Sequence, residues 1–90
     1  MSLSKVALVT GGSKGIGAGI VRRLSADGFA VAINYSKNPE PAEALVAELK
    51  EAGGRSFAIK CNVANSDDVT HMFNSIENEL GPINILITQG

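Results

Sequence analysis

Thr10-Gly11-Gly12-Ser13-Lys14-Gly15-Ile16-Gly17 is the stretch of this chain whose residue types and spacing could do chemistry. Four glycines fall within the seven residues from Gly11 to Gly17. A helix that begins inside such a loop presents unpaired N–H groups and the positive end of its dipole, which together suit a diphosphate. Glycine lets the backbone turn tightly, approach the ligand closely and pack the helix near a sheet. The spacing is T-G-x-x-x-G-x-G, and the strict G-x-G-x-x-G dinucleotide pattern is absent. Gly12 to Gly17 fits the first part of a Walker A loop, but Ala18-Gly19 follows where Lys-Ser/Thr is required. That excludes the kinase and nucleoside-triphosphatase reading. A glycine-rich turn with no ligand is the plain alternative, and the elements around the loop decide between the two.

Those elements can be read from the period of the apolar residues. Val6 to Val9 is a short continuous apolar run, the pattern of a strand buried on both faces of a parallel sheet. Beyond the loop, Ile16, Ile20, Val21 and Leu24 recur at helical spacing through Ala26, and Gly28 stops the helix. Ala30 to Ile33 is a second buried strand. Pro39 and Pro41 open a second helix with the stripe Ala42, Leu45, Val46 and Leu49, ended by Gly53-Gly54. Ser56 to Val63 reads as a third strand. Ser66 is the expected N-cap of a third helix, with Asp67 and Asp68 at its positive end. Val69, Met72, Phe73, Ile76 and Leu80 form its stripe, Gly81-Pro82 ends it, and Ile83 to Thr88 is a fourth strand.

The order β-α-β-α-β-α-β implies parallel strands with right-handed crossovers, a doubly wound, Rossmann-like α/β sheet in three αβα layers. Residues 1–90 form a single dinucleotide-binding portion with no internal repeat, linker or low-complexity tract. The dinucleotide fold has two βαβαβ halves, and one half plus a strand is present here. The chain is therefore expected to be part of a larger domain, with Ile83, Ile85 and Ile87 near an open sheet edge.

Composition narrows the partners. Eight Lys+Arg against nine Asp+Glu gives a formal net charge of -1, with 44% hydrophobic residues. Such a balance suits a soluble globular chain and lacks the basic excess that nucleic-acid binding requires. No apolar run approaches the roughly 18 to 20 residues of a membrane span, and no signal peptide is evident. A lone cysteine, Cys61, excludes an internal disulfide framework and a cysteine-based metal site. A reducing compartment, the cytoplasm, is the expected location. His71, the one histidine, falls about 200° around the helix from Val69 and reads as a surface residue. No metal site is expected.

Taken with its neighbours, the glycine loop resembles the cofactor loop of the short-chain dehydrogenase/reductase family. Ala32-Ile33-Asn34-Tyr35-Ser36 and the helix carrying Glu43-Ala44-Leu45-Val46 are most similar to its 3-oxoacyl-(acyl-carrier-protein) reductase branch. Cys61-Asn62-Val63 resembles the family's Asp-Val pair at the adenine, and Gly81 to Ile87 resembles the lead into its fourth strand. Two stretches depart: Asn62 stands where Asp is commoner, and Thr88-Gln89-Gly90 replaces the family's Asn-Asn-Ala-Gly.

The resemblance implies an oxidoreductase that moves hydride between a nicotinamide cofactor and a small carbonyl or acyl-thioester substrate, in a homo-oligomeric parent. The glycine loop with Gly11, Ser13, Gly15, Ile16 and Gly17 would hold the diphosphate, while Asn62 and Val63 would flank the adenine. It also implies a catalytic tyrosine with a lysine four residues later; the only tyrosine is Tyr35, and Pro39 stands four residues on. No catalytic residue is assigned. A unit that prefers NAD carries an acid at the end of the second strand, about 20 residues past the glycines, to hold the ribose 2′-hydroxyl. Here that end is Asn34, Tyr35, Ser36 and Lys37, none of them acidic. Lys37 and Lys14 suit a 2′-phosphate, so NADP(H) is the expected cofactor. A non-catalytic nucleotide-binding or sensing module is the alternative.

Overall fold

The computed structural model describes residues 5–11 and 15–88. Seven elements alternate along the chain: β1 (Val6–Thr10), α1 (Gly15–Ala26), β2 (Ala30–Tyr35), α2 (Pro39–Glu51), β3 (Ser56–Lys60), α3 (Ser66–Leu80) and β4 (Ile83–Ile87). The four strands are parallel and lie in the order β3-β2-β1-β4. The expected doubly wound sheet is present. Its chain order reverses at β1, where the path steps outward to β2 and β3 and then crosses back to β4.

Strand alternation sends neighbouring side chains to opposite faces, and each face has its own helices. Val6 and Leu8 of β1, with Ala30 and Ala32 of β2, meet Met72 and Ile76 of α3. Val9 of β1, with Val31 and Ile33 of β2, meets Val21 of α1 and Ala42, Leu45 and Leu49 of α2. The two central strands are thus covered on both sides, which explains their continuous apolar sequence.

Helix ends are set by local chemistry. Asn38 caps α2 by accepting the Glu40 N–H at 3.2 Å, and Pro39 occupies the first turn, where no donor is lost. Gly28 after α1 and Gly81 after α3 take φ of 96° and 112°, a region that disfavours side chains. The last turn of α3 carries no basic residue of its own. Arg55, at the entrance to β3, donates to the carbonyls of Glu79 and Leu80 instead, at 3.5 and 3.4 Å.

Three expectations are corrected. The cap of α3 is Asn65, whose Oδ1 accepts the Asp68 N–H at 3.1 Å, and Ser66 is already helical. Asp67 and Asp68 lie in the first turn as expected. Strand β3 ends at Lys60, three residues before Val63, because Asn62 closes a turn by accepting the Ala64 N–H at 3.0 Å. Ile16 does not join the buried stripe of α1: it is 78% exposed, and small Gly17 and Ala18 make the close contact with the sheet.

β4 forms one edge of the sheet, and its pairing with β1 slips by one residue. Val6 faces Ile83 but Ala7 faces Ile85, so Asn84 is passed over. Its side chain repairs the ladder, with Oδ1 accepting the Val6 N–H at 2.8 Å. Ile83, Ile85 and Ile87 are half-buried, and Leu86 is 50% exposed on the face that α3 covers elsewhere.

The assignment of the α3 cap has a direct test. Asn65→Ala should lower stability by about 1 kcal/mol, whereas Ser66→Ala should change it by less than about 0.5 kcal/mol, read from urea unfolding midpoints.

Candidate functional site

The residues with chemical potential gather at the carboxyl ends of the strands. Gly11 follows β1 with φ of 66°, and Gly15 opens α1 with φ of 56°. A Cβ on Gly15 would meet nothing within 4 Å, so its backbone angle is what calls for glycine there. Gly17 is buried at the start of α1. Ser13 and Lys14, with Gly12 between Gly11 and Ser13, lie outside the described residues, as do Gln89 and Gly90. α1 carries no acidic residue in its first turn, whereas α2 has Glu40 there and α3 has Asp67 and Asp68. The positive end of α1 is left uncompensated by its own sequence, as an anion site requires.

Beside the loop lies the end of β2. Asn34 pairs with Thr10 across the β1–β2 ladder. Its side chain points inward, and the residue is 4% exposed. Oδ1 accepts the Gly11 N–H at 3.4 Å, while Nδ2 donates to the Tyr35 and Cys61 carbonyls at 3.3 Å each. Tyr35 is half-buried and packs against the cluster shared by α1 and α2. Ser36 and Lys37 are exposed. The first carboxylate after β2 is Glu40, already inside α2.

The turn after β3 completes the rim. The Cys61 N–H donates to Tyr35 O at 2.9 Å, extending the β2–β3 ladder by one bond. Asn62 uses its Oδ1 for the Ala64 N–H, and its own N–H donates to Asp68 Oδ2 at 3.4 Å. Val63 is 59% exposed. Ile16 and Val63 therefore present apolar surface at the same end of the sheet, one on each side of β2.

Two groups are chemically quiet. Cys61 is 2% exposed. Burial, assisted by the Asp68 carboxylate, pushes its thiol pKa up, the reverse of what a nucleophile needs. Among the described residues no cluster of His, Cys, Asp and Glu could hold a metal ion. His71 is exposed, as expected. A cavity of about 400 Å³ lined by Lys5, Arg55, Pro82 and Asn84 lies at the amino end of the sheet, away from the glycine loop.

A glycine loop at the point where strand order reverses is where α/β sheets take nucleotides. Comparison with known proteins agrees. The family model described as short chain dehydrogenase matches residues 5–90. The chain belongs to the short-chain dehydrogenase family. It is 44% identical over 87 residues to the 3-oxoacyl-[acyl-carrier-protein] reductase FabG of Staphylococcus aureus, covering 97% of this chain and 35% of that protein. The chain thus spans about a third of that relative's length. A short-chain dehydrogenase/reductase homolog of Bacillus subtilis, YusS, is 42% identical over 85 residues, which are 94% of this chain and 78% of that protein. Among solved structures, a blue fluorescent protein from a metagenomic library in complex with NADPH superposes with a TM-score of 0.87 at 44% identity, covering 93% of this chain and 35% of that one. No helix among the described residues is long and apolar enough to cross a membrane.

The raised thiol of Cys61 has a consequence for stability. A thiol with a higher pKa in the folded chain contributes stability that is intact below the ordinary range, about 8.5, and is lost as pH rises through the folded value. The urea midpoint of the wild type should therefore fall more steeply between about pH 8 and pH 10 than that of Cys61→Ala. Parallel pH profiles for the two proteins would refute the assignment.

Proposed function

We propose that this chain is the cofactor-binding portion of an NADP(H)-dependent short-chain reductase whose parent reduces a carbonyl such as a 3-oxoacyl thioester. The observation that carries the cofactor choice is the end of β2. From Asn34 to Lys37 it offers no carboxylate to a ribose 2′-hydroxyl and no charge that would repel a 2′-phosphate. Similarity to a protein solved in complex with NADPH supports the same choice.

The residues divide the dinucleotide among them. Gly11, Ser13, Gly15, Ile16 and Gly17 would hold the diphosphate at the start of α1, with N–H groups and the helix field as the attractive terms. Tyr35, Ser36 and Lys37, together with Lys14, would take the 2′-phosphate, with Asn34 behind them. Asn62 and Val63 would flank the adenine: Val63 supplies apolar area, and the Asn62 Nδ2 group has no hydrogen-bond partner among the described residues. The bound cofactor supplies hydride at its nicotinamide C4, and the residues that activate the carbonyl belong to the parent outside these ninety residues. A cytoplasmic location and a homo-oligomeric parent, without nucleic-acid or membrane partners, complete the reading.

YusS favours a second reading, because the match spans most of that relative's own length. In it the chain is a non-catalytic nucleotide-binding or sensing module. Binding of NADPH without its oxidation by any 3-oxoacyl thioester would favour this reading; oxidation would favour the reductase.

NADPH should bind about tenfold or more tightly than NADH in a calorimetric titration, as a charge-assisted phosphate contact would give. Equal affinities would overturn the cofactor choice. Gly15→Val should abolish binding of both nucleotides, since its φ of 56° is strained for a β-branched residue. Undiminished binding would remove the loop from the site.

A further inference from the structure

Asn34 is one of two buried polar residues among the described residues, the other being Ser56. It sits at the one place where the ends of β1, β2 and β3 come within reach of a single side chain. Its carboxamide accepts from the first N–H after β1, at Gly11, and donates to the carbonyls of Tyr35 and Cys61. Each bond is long, at 3.3 or 3.4 Å, as expected of one planar group bridging three chain segments. One acceptor and two donors are needed, and among side chains of this length only asparagine offers both. Aspartate would set an oxygen against two carbonyls, serine is too short to bridge, and leucine would leave all three backbone groups without this partner.

We infer that Asn34 is a positioning residue of the nucleotide site: it ties the first N–H of the phosphate loop to the turn that carries Asn62 and Val63, and it touches neither ribose nor phosphate. The inference rests on the nucleotide-binding reading above and deepens it. The loop that would hold the diphosphate and the turn that would hold the adenine belong to different crossovers. Their separation must match a dinucleotide of fixed length. The Asn34 amide is a covalently rigid spacer between them, anchored in the β1–β2 ladder at Thr10.

The same geometry decides where nucleotide preference can reside. An acid at the end of β2 is the feature that selects a ribose 2′-hydroxyl. At position 34 a carboxylate would be buried against two carbonyl oxygens, so it could not serve a ligand. Preference is therefore read beyond position 34, where Tyr35 is half-buried and Ser36 and Lys37 are exposed. Asn34→Asp should weaken NADPH and NADH together, with the ratio of their affinities unchanged. Ser36→Asp should shift that ratio toward NADH.

The test uses the protein that carries this chain, with two independent readouts. The first needs no nucleotide: amide hydrogen exchange at Gly11, followed by nuclear magnetic resonance. Asn34→Ser, which has no charge to bury, should remain folded by circular dichroism. It should exchange its Gly11 amide roughly three- to tenfold faster than the wild type, the effect of one lost hydrogen bond. Ser36→Asp should leave that amide unchanged. The second readout is titration with NADPH and NADH, where Asn34→Ser should lose about tenfold in affinity for both. An Asn34→Asp variant that gains NADH affinity would overturn the inference by showing that position 34 faces the ribose. So would an Asn34→Ser variant with wild-type exchange at Gly11. A wild type that binds neither nucleotide would instead overturn the function proposed above, and the Gly11 amide would still decide the spacer.

Discussion

The whole arrangement depends on β1 being paired on both sides and covered on both faces. Val6 to Thr10 pairs with β2 along one edge and with β4 along the other, while Val6 and Leu8 look toward α3 and Val9 toward α1 and α2. A parallel strand in that position cannot alternate polar and apolar residues, since neither face meets water. It also requires crossovers that place helices on opposite faces: a right-handed connection leading outward to β2 and another returning to β4 do so. The reversal at β1 leaves a crevice at its carboxyl end because the connections there diverge. The glycine loop is the chain leaving β1 at that point. Its position thus follows from the topology, and only its composition is specific to a ligand.

Much of this architecture was legible in the residues. Continuous apolar runs marked the two central strands, and stripes at helical spacing marked all three helices. The features that escaped were those in which a side chain competes with the backbone. Asn65 in place of Ser66 as the α3 cap, and Asn62 ending β3 before Val63, both depend on which of several adjacent polar residues captures an N–H. Periodicity carries no information about that choice. Ile16 escaped for another reason: the start of α1 comes so close to the sheet that glycine and alanine fill the interface, which turns the adjacent isoleucine outward. An apolar residue exposed next to a glycine loop is the signal that could have been used.

The candidate site was legible in location but less so in the division of roles. Gly11, Gly15, Ile16, Gly17, Tyr35, Ser36, Lys37, Asn62 and Val63 all come to the carboxyl end of the sheet, as their places in the βα units required. Asn34 shares the location with its side chain turned inward. Strand alternation alone could not establish this, because the polar residue at a strand end can turn to solvent or satisfy the backbone of its neighbours with equal ease. The deciding fact is three-dimensional: Gly11 and Cys61 bring an N–H and a carbonyl to opposite sides of position 34.

The polar side chains consequently take two roles. Asparagines at positions 34, 62, 65 and 84 satisfy backbone groups where a ladder ends, turns or slips. An amide is suited to this because it can donate and accept at once without carrying a charge that burial would penalise. One charge joins them, since Asp68 Oδ2 accepts the Asn62 N–H at 3.4 Å. Lys37 lies beyond the end of β2, and the carboxylates Asp67 and Asp68 sit at the start of α3, where the helix dipole favours them. Of the four asparagines only Asn34 is buried, while Asn62, Asn65 and Asn84 are exposed. Burial therefore demands a neutral group at position 34 alone, and the exposed positions can change charge without disturbing the sheet. In the proposed reading, selection between two dinucleotides that differ by one phosphate falls to exposed residues beyond β2, Ser36 and Lys37, whose charge can change without moving the buried Asn34 amide that links the Gly11 N–H to the Cys61 carbonyl.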